Sequence, residues 1–440
     1  MDRTFHDHEH HEFVVCHDIF YNVFDLAFAF YWEPARWSKT SNTVLSPVSI
    51  VAAFAMLSLG TKGATLTQIL EGLNFNLRMI SEAHVHQCFQ PLLHILQHPD
   101  HQLQMIIGSS LFVSDNLMLM DQFVQGIKEL YHSRVISISF RNTEHAKKKI
   151  NNYVKRETHG EIANLVKNLK EDTALALVNY ISFHGKWTVE FQAEYTVEED
   201  FCVDEGTSIR VPMINRLGMF LLNREEELSS WVLVQQFARI HFPRLSISAT
   251  YDLRSILSAM GITKIFSDEA DLSAMTEVSS IKLSTVRSPD NSTVPSAMHK
   301  AMLTIDERRT ETRGATDLGD RDWSKVPTIK FNRPFIFIIR EENTNIPLFL
   351  GKVVNPIEHA TCRLCSLRDG DSDSAHLQTH ELALCGEKRT RRPVKLLRLL
   401  GKDKEGRKLR SHLCRFTSAM MRTDPLGDAH IRQFKALEGS

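Results

Sequence analysis

A ten-residue run from Ala174 to Phe183 (ALALVNYISF) limits the folds open to this chain more than any other segment. Its residues are nearly all apolar and include β-branched and aromatic side chains, which is typical of a strand buried on both faces of a sheet. Asn179 and Ser182 interrupt the run, and a buried amide costs a few kcal/mol unless it is hydrogen-bonded. The sequence therefore predicts a central strand with a polar network around Asn179.

Two helical segments precede this strand. Residues 22–31 (NVFDLAFAFY) place apolar side chains at i, i+3, i+4 and i+7, the spacing of an amphipathic helix. In the next segment, TVLSPVSIVAAFAMLSLG, Ser46 can cap a helix, Pro47 suits its first turn and Gly60 follows its last apolar residues. This second helix is apolar nearly all round, so we expect it to be buried.

The chain between residues 104 and 356 mixes strand and helix patterns. Helical periodicity returns at TEHAKKKINNYVKRETHG, where Ala146, Ile150 and Tyr153 share a face. Near the end of this region, residues 335–339 and 348–354 are apolar and are joined by the polar loop EENTN, which predicts a β-hairpin. The pattern indicates an α+β fold.

The composition changes beyond Pro356. Between Lys388 and Arg410 the chain has 11 Lys or Arg residues against two acids. Such a run is typical of a solvated tail, and nucleic-acid or membrane contact is the less favoured alternative. We therefore place a boundary near Glu358 and expect residues 358–440 to form a basic, disordered tail.

Charge and hydropathy exclude several classes of partner. The chain has 52 Lys and Arg and 53 Asp and Glu, a formal charge of −1, which gives no overall attraction to nucleic acid. No segment approaches the roughly 20 consecutive apolar residues of a membrane span. The first residues, MDRTFHDHEHHEFVV, hold acids and histidines where a secretory signal has basic and apolar stretches, so no export signal is expected as written.

The cysteines leave the redox compartment open, because they are too sparse for a disulfide scaffold and odd in number. They are Cys16, Cys88, Cys202, Cys362, Cys365, Cys385 and Cys414.

Motifs for catalysis, metals and cofactors are missing from the sequence. There is no G-x-S-x-G, G-x-G-x-x-G, Walker loop or H-E-x-x-H. Cys362-x-x-Cys365 has no second pair at zinc-finger spacing, and the histidines among residues 6–11 lie in a polar terminus. We expect no metal, no cofactor and no enzyme activity. Asn291 begins the only N-x-S/T sequon and is a candidate glycosylation site.

Three segments together resemble the serpin family: SPVSIVAAFAMLSLGTKGAT, LVNYISFHGKW and IKFNRPFIFIIREENTNIPLFLGKVVNP. The resemblance implies an α+β domain of three β-sheets and eight or nine helices with an exposed reactive-centre loop. We expect residues 1–20 to be an N-terminal extension, 21–357 to be the serpin domain and 358–440 to be the tail. The reactive-centre loop would then span about residues 309–330.

The resemblance also implies a function. Serpins are monomeric inhibitors of serine proteases that act as suicide substrates, because the cut loop inserts into the large sheet and traps the acyl-enzyme. Trp187 matches the family's tryptophan at the breach, where the sheet begins to open. The family's shutter network, the polar cluster beneath the opening sheet, is matched by Ser46, Ser49, Asn179 and His299.

Counting back from Phe331 without a gap places the scissile bond at Trp323–Ser324. A tryptophan at this position suits the deep apolar pocket of a chymotrypsin-like protease, with an elastase-like protease as the other class considered. The alternative is that Trp323 is an exposed loop aromatic without a partner.

The hinge of this loop departs from the family, which uses small residues there. Asp320 and Asp322 would also face inward on insertion, at a cost of several kcal/mol each. The alternative function is therefore a non-inhibitory serpin, or a degenerate relic whose loop is only cleaved as a substrate. The hinge residues are Arg309, Thr310, Glu311, Thr312, Arg313, Gly314 and Ala315.

Two further departures concern the core and the location. Phe237 runs almost directly into His241, where the family has a few dozen more residues, so part of the second sheet is expected to be deleted. STVRSPDNSTVPSA is inserted before Met298. By resemblance the protein is a secreted glycoprotein of the extracellular space, with retention in the endoplasmic reticulum or a cytoplasmic location as alternatives.

Overall fold

A computed structural model describes residues 16–37, 40–97, 104–171, 173–187, 193–204, 206–225, 230–267, 269–276, 297–309, 326–341, 344–357 and 395–399. These residues form seven α-helices and thirteen strands in three sheets, together with two short 3-10 helices, Ala193–Tyr195 and Lys264–Phe266. The α-helices are α1 (His17–Trp37), α2 (Pro47–Ser58), α3 (Gly63–Gly72), α4 (Glu82–Gln97), α5 (Asp121–Tyr131), α6 (Thr143–Glu157) and α7 (Leu253–Ala259).

The strands alternate with these helices along the chain. They are β1 (Thr43–Leu45), β2 (Gln104–Ser114), β3 (Arg134–Ile138), β4 (Leu175–Trp187), β5 (Val197–Cys202), β6 (Ser208–Glu225), β7 (Ser230–Pro243), β8 (Leu245–Asp252), β9 (Ala297–Arg309), β10 (Thr328–Lys330), β11 (Phe335–Arg340), β12 (Pro347–Val353) and β13 (Lys395–Leu399).

The predicted central strand is confirmed as β4, the middle strand of a five-stranded sheet of order β3-β2-β4-β9-β8. It pairs antiparallel with β2 and parallel with β9. Both of its faces are covered, so residues 175–183 are all buried, as the continuous apolar run predicts. Asn179 lies at its centre and is 1% exposed.

Helix α2 is the buried helix expected from its apolar circumference. Every residue of the helix is buried, Pro47 occupies its first turn, and the Ser46 hydroxyl accepts a hydrogen bond from the Ser49 amide at 3.3 Å. The helix contacts β4, so its first turn lies directly against the middle of the central sheet.

Helix α6 covers the other face of the sheet. Its Ala146, Ile150 and Val154 recur every four residues and pack in a second apolar cluster with Phe112 of β2 and Val178 of β4. The predicted Tyr153 lies at the edge of that cluster, where its hydroxyl accepts a hydrogen bond from Ser110 at 2.9 Å.

The two remaining sheets each have four strands. One has the order β10-β7-β6-β5, and the shortened segment around Phe237 is the middle of its long strand β7. The other has the order β1-β12-β11-β13 and contains the predicted hairpin, β11 with β12. Its fourth strand, β13, comes from the basic tail and pairs parallel with β11 from Phe335↔Lys395 to Ile339↔Leu399. The tail therefore contributes a strand, although its charge favoured disorder.

The folded region begins before the helix predicted at residue 22. Helix α1 starts at His17, its residues Ile19 and Phe20 are buried, and Cys16 forms a disulfide with Cys88 of α4 across 72 residues. Cys16, Ile19 and Phe20 lie in the segment that the sequence assigned to the extension, and all three are packed in the core.

We expect the disulfide to stabilise the fold by about 2–4 kcal/mol, because it closes a long loop in the unfolded chain. Urea unfolding of the Cys16→Ser/Cys88→Ser protein should show a correspondingly lower midpoint. Reductant should shift the wild-type curve and leave the curve of this double variant unchanged. Cys202→Ser, at a cysteine of β5 outside this pair, is the matched control and should retain the wild-type response to reductant. Equal midpoints for wild type and the double variant would contradict this prediction.

Candidate functional site

The predicted shutter residues meet at the ladder between β4 and β9, which we call the central seam. Asn179 of β4 and His299 of β9 are direct partners in the parallel register, and both are buried. Ser46 and Ser49, at the first turn of α2, lie against them and are also buried. The structure thus brings together residues that are up to 253 positions apart in the chain.

Asn179 is the hub of this cluster. Its amide nitrogen donates to Ser49 Oγ at 2.7 Å, to Ser109 Oγ at 2.9 Å and to the Ser49 carbonyl at 3.1 Å. Its amide oxygen accepts hydrogen bonds from Ser49 Oγ at 2.9 Å and from His299 Nδ1. One buried side chain therefore ties β2, β4, β9 and α2 together, which is the network that the sequence required of it.

The contacts of His299 fix its tautomer. The Ser46 amide donates to Nε2 at 3.2 Å, so Nε2 accepts and the proton of the neutral ring lies on Nδ1. Nδ1 then donates to the Asn179 amide oxygen. Burial lowers the pKa of His299 to about 3, because the site disfavours the charged ring. His299 is thus a neutral structural side chain and holds β9 to α2.

Two members of the network were missed from the sequence. Ser109 of β2 faces Asn179 across the antiparallel ladder. Tyr251 of β8 stacks its ring on His299, with an angle of 13° between the rings, and its hydroxyl accepts from the Val44 amide at 3.3 Å. The signal for Ser109 was its place in the apolar run MIIGSSLFVS, which repeats the interruption seen at Asn179.

Pairs of ionisable side chains lie at the end of the central seam, next to the point where β9 leads into the predicted reactive-centre loop. His184 Nε2 of β4 lies 2.8 Å from Asp306 Oδ2 of β9. Glu307 of β9 accepts from Arg244, and from Thr196 Oγ1 at 2.6 Å. Burial alone would raise the pKa of Glu307, but these hydrogen bonds outweigh it and lower the pKa. Separating β4 from β9 at this end therefore requires breaking the contact between His184 and Asp306, while Arg244 and Thr196 hold Glu307 from outside β4.

The predicted reactive-centre loop begins just beyond these side-chain pairs, and most of it lies outside the described residues. Arg309, the first predicted hinge residue, is the last residue of β9, and its backbone pairs with Trp187 beyond a bulge. The other hinge residues, 310–315, the predicted bond Trp323–Ser324 and the sequon at Asn291 all lie outside the described residues.

The far end of the loop is anchored on a different sheet. After the loop the chain enters β10, which pairs parallel with β7. Glu199 of β5 accepts from Lys330 Nζ of β10 at 2.7 Å and also pairs with His241 of β7. Burial opposes ionisation of Glu199, but the two hydrogen bonds lower its pKa overall. Arg309 and Thr328, on either side of the predicted loop, therefore lie on two different sheets, and side-chain contacts stabilise each of these strands nearby.

The central seam joins two parallel strands, β4 and β9, that are direct neighbours in the sheet. Among the described residues, no cluster of three or more His, Cys, Asp or Glu could hold a metal ion. No helix in the described ranges is long and apolar enough to cross a membrane.

Comparison with known proteins assigns the family. The model of the family Serpin (serine protease inhibitor) matches residues 22–239 and 234–356. The two pieces overlap at residues 234–239, around Phe237, where the sequence predicts a deletion relative to the family. Alpha-1-antitrypsin-related protein of Homo sapiens is 48% identical, over 81% of this chain and 91% of that protein. Alpha-1-antitrypsin of Sus scrofa is 47% identical, over 80% of this chain and 90% of that protein.

Solved structures agree with this assignment. Human glycosylated kallistatin matches with a TM-score of 0.67 and 34% identity, over 78% of this chain and 97% of that one. Human thyroxine-binding globulin complexed with its ligand matches with a TM-score of 0.69 and 31% identity, over 78% and 100%. The expected α+β fold with three sheets is thereby confirmed. The chain belongs to the serpin family of serine protease inhibitors and is not an enzyme.

Proposed function

We propose that this serpin inhibits its target as a suicide substrate and that Trp323–Ser324 is the bait bond. The protease serine attacks the Trp323 carbonyl carbon, the bond to the Ser324 nitrogen breaks, the new amine takes up a proton, and an ester joins the protease to Trp323. Insertion of the cut loop into the central seam then holds the ester away from water. The observation that carries the proposal is the intact network of Asn179 and His299 at that seam.

Insertion has a physical driving force in this architecture. A strand placed between β4 and β9 would make ladder hydrogen bonds with both neighbours. It would add a sixth strand to a sheet that is already covered on both faces. The native five-stranded sheet would then be a kinetically stable state rather than the most stable one. The protein would be used once, because the cut bond is not resealed.

Trp323 favours a protease with a deep apolar primary pocket, and we propose a chymotrypsin-like target. Substitution Trp323→Arg should move cleavage at this bond from chymotrypsin to trypsin by orders of magnitude, since the pocket selects this side chain. Sequencing the new amino terminus after digestion of both proteins checks the assignment. Cleavage of the wild type by chymotrypsin at another bond of the loop would contradict this assignment.

A substrate-only function is the second candidate, and the hinge favours it. Arg309 and Arg313 replace small residues, and Asp320 and Asp322 would be buried by full insertion. An unpaired buried carboxylate costs several kcal/mol, so insertion slows relative to hydrolysis of the ester.

We therefore expect chymotrypsin to yield mostly cleaved protein and a minor band of SDS-stable complex. Asp320→Ala/Asp322→Ala should raise the complex fraction several-fold, and Asp115→Ala, at an exposed aspartate outside the predicted loop, should leave it unchanged. A complete absence of complex in both the wild type and the loop variant would overturn inhibition and support the substrate-only function. A predominant complex in the wild type would contradict the cost assigned to the two aspartates.

We propose secretion as the route by which this protein meets its target. The Cys16–Cys88 disulfide supports an oxidising compartment, since such bonds are rare in the cytosol. In that compartment Asn291 would be a glycosylation acceptor. The protein would act as a monomer, because one chain supplies the loop, the seam and both anchors of the loop.

A further inference from the structure

A groove of about 770 Å³ runs along the exposed flank of α6. Its opposite wall is the backbone that follows the helix, at residues 163–164. The lining is polar throughout apart from Ala163, and basic and carboxamide side chains dominate it. They include His145, Lys147, Lys148, Asn151, Asn152 and Lys155.

The charge in this groove is not balanced. Its one lining acid, Glu144, pairs with Lys147 at 2.6 Å. Lys148 and Lys155 are exposed and form no ion pair with the described residues. The helix as a whole carries five Lys or Arg residues against two Glu. The groove is therefore positive, and its amides add neutral hydrogen-bond donors.

The walls of the groove are held in place. The Asn151 side chain accepts hydrogen bonds from the Leu165 amide at 3.0 Å and the Val166 amide at 2.9 Å, and it donates to the Val166 carbonyl at 2.8 Å. Leu165 and Val166 are buried in the apolar cluster beneath α6. The groove thus exists before any ligand arrives, which lowers the entropic cost of binding.

We propose that this groove binds a short oligoanion that carries phosphate or sulfate groups. Lys148 and Lys155 are two helical turns apart, about 10 Å along the axis, which fits two anionic groups at that spacing. Asn151 and Asn152 lie between the two lysines along the helix.

Occupation of the groove would act on the central seam. Asn164, in the groove wall, accepts a hydrogen bond from Lys300 Nζ of β9 at 3.2 Å, while α6 packs on β2 and β4. The helix and its following segment therefore straddle the seam. A ligand that holds them together stabilises the closed five-stranded sheet and opposes entry of a further strand. This consequence rests on the proposed inhibitory function, whereas the binding does not.

Titration calorimetry at low ionic strength tests the binding with tripolyphosphate and with sucrose octasulfate as probes. We expect saturable binding of one molecule per chain. Lys148→Glu/Lys155→Glu should weaken it at least about tenfold, because both charges that face the anion are reversed. The matched control is Lys149→Glu/Lys128→Glu, which makes the same charge change at exposed lysines outside the groove and should alter affinity less than about threefold.

The outcomes separate the possibilities. Binding of only one probe supports the site and identifies its anion as phosphate or sulfate, and binding of both supports a shared oligoanion site. No saturable binding, or equal weakening in the control, overturns the proposal. Thermal unfolding of the wild type and the two double variants without probe shows whether the variants fold. If binding is found but no covalent protease complex ever forms, the inhibitory function fails and the site stands.

Discussion

Replacing Asn179 with alanine is expected to lower the free energy of unfolding by roughly 3–5 kcal/mol. The substitution removes the donor for Ser109 Oγ, which is partly buried, and the acceptor for His299 Nδ1, which is fully buried. Since a domain is stable by only about 5–15 kcal/mol, a loss of this size is a large share of the total.

Urea unfolding followed by circular dichroism measures this loss. Asn168→Ala, at an exposed asparagine, is the control and should change the free energy by less than about 0.5 kcal/mol. If the two variants unfold at the same urea concentration, the network does not stabilise the seam as argued.

The same network gives stability a pH dependence. Burial lowers the pKa of His299 to about 3, whereas the unfolded chain takes up this proton near pH 6.5. Between these values the unfolded state binds more protons, so stability falls as the pH falls, by about 1.4 kcal/mol per pH unit. From pH 7 to pH 5 the expected loss is about 2 kcal/mol.

His299→Gln should flatten this slope, because glutamine does not titrate. Glu199 and Glu307, whose pKa values are lowered, lose their stabilising contribution only at more acid pH, near and below the ordinary glutamate range. The difference between the wild-type and variant slopes, measured by unfolding at pH 7, 6 and 5, therefore isolates the contribution of His299. A slope in the variant that equals the wild-type slope would show that other groups carry the acid sensitivity.

The sequence predicted the centre of the fold and of the site because local physics decides them. Helix α2 is apolar on every side and begins at a capping serine, so its burial follows from its own residues. The β4 strand follows from an apolar run, and its lone amide, Asn179, demanded partners. Those partners could be named only by family resemblance, because His299 is 120 residues away and its register with Asn179 is a tertiary fact.

Other features depend on distant contacts that no local pattern encodes. The pairing of Cys16 with Cys88 is one, since seven cysteines leave many combinations open. Tyr251 is another, because its role comes from stacking across β8 and β9. The tail strand β13 was missed because KLLRL lies within a run of basic residues and its apolar side chains do not alternate with polar ones.

Deleting residues 395–440 is expected to convert the proposed monomer into an associating species at micromolar concentration. Without β13, the backbone of β11 from Phe335 to Ile339 becomes an unpaired strand edge beside buried apolar side chains. Such an edge pairs readily with another chain, and the lost ladder also costs a few kcal/mol of stability. Light scattering after size-exclusion chromatography and a thermal melt measure the two effects.

A chain that ends at residue 404 is the matched control, because it removes residues 405–440 but keeps Lys395–Leu399. It should stay monomeric and melt like the full-length protein, whereas Leu397→Pro in the full chain should resemble the long deletion, since proline removes a ladder donor. A monomeric protein ending at residue 394 with an unchanged melting temperature would contradict the role of β13. Association together with a lower melting temperature would mean that β13 completes the sheet that contains β11. The chain would then use a strand of its tail to compensate for the residues that the sequence predicts to be deleted near Phe237.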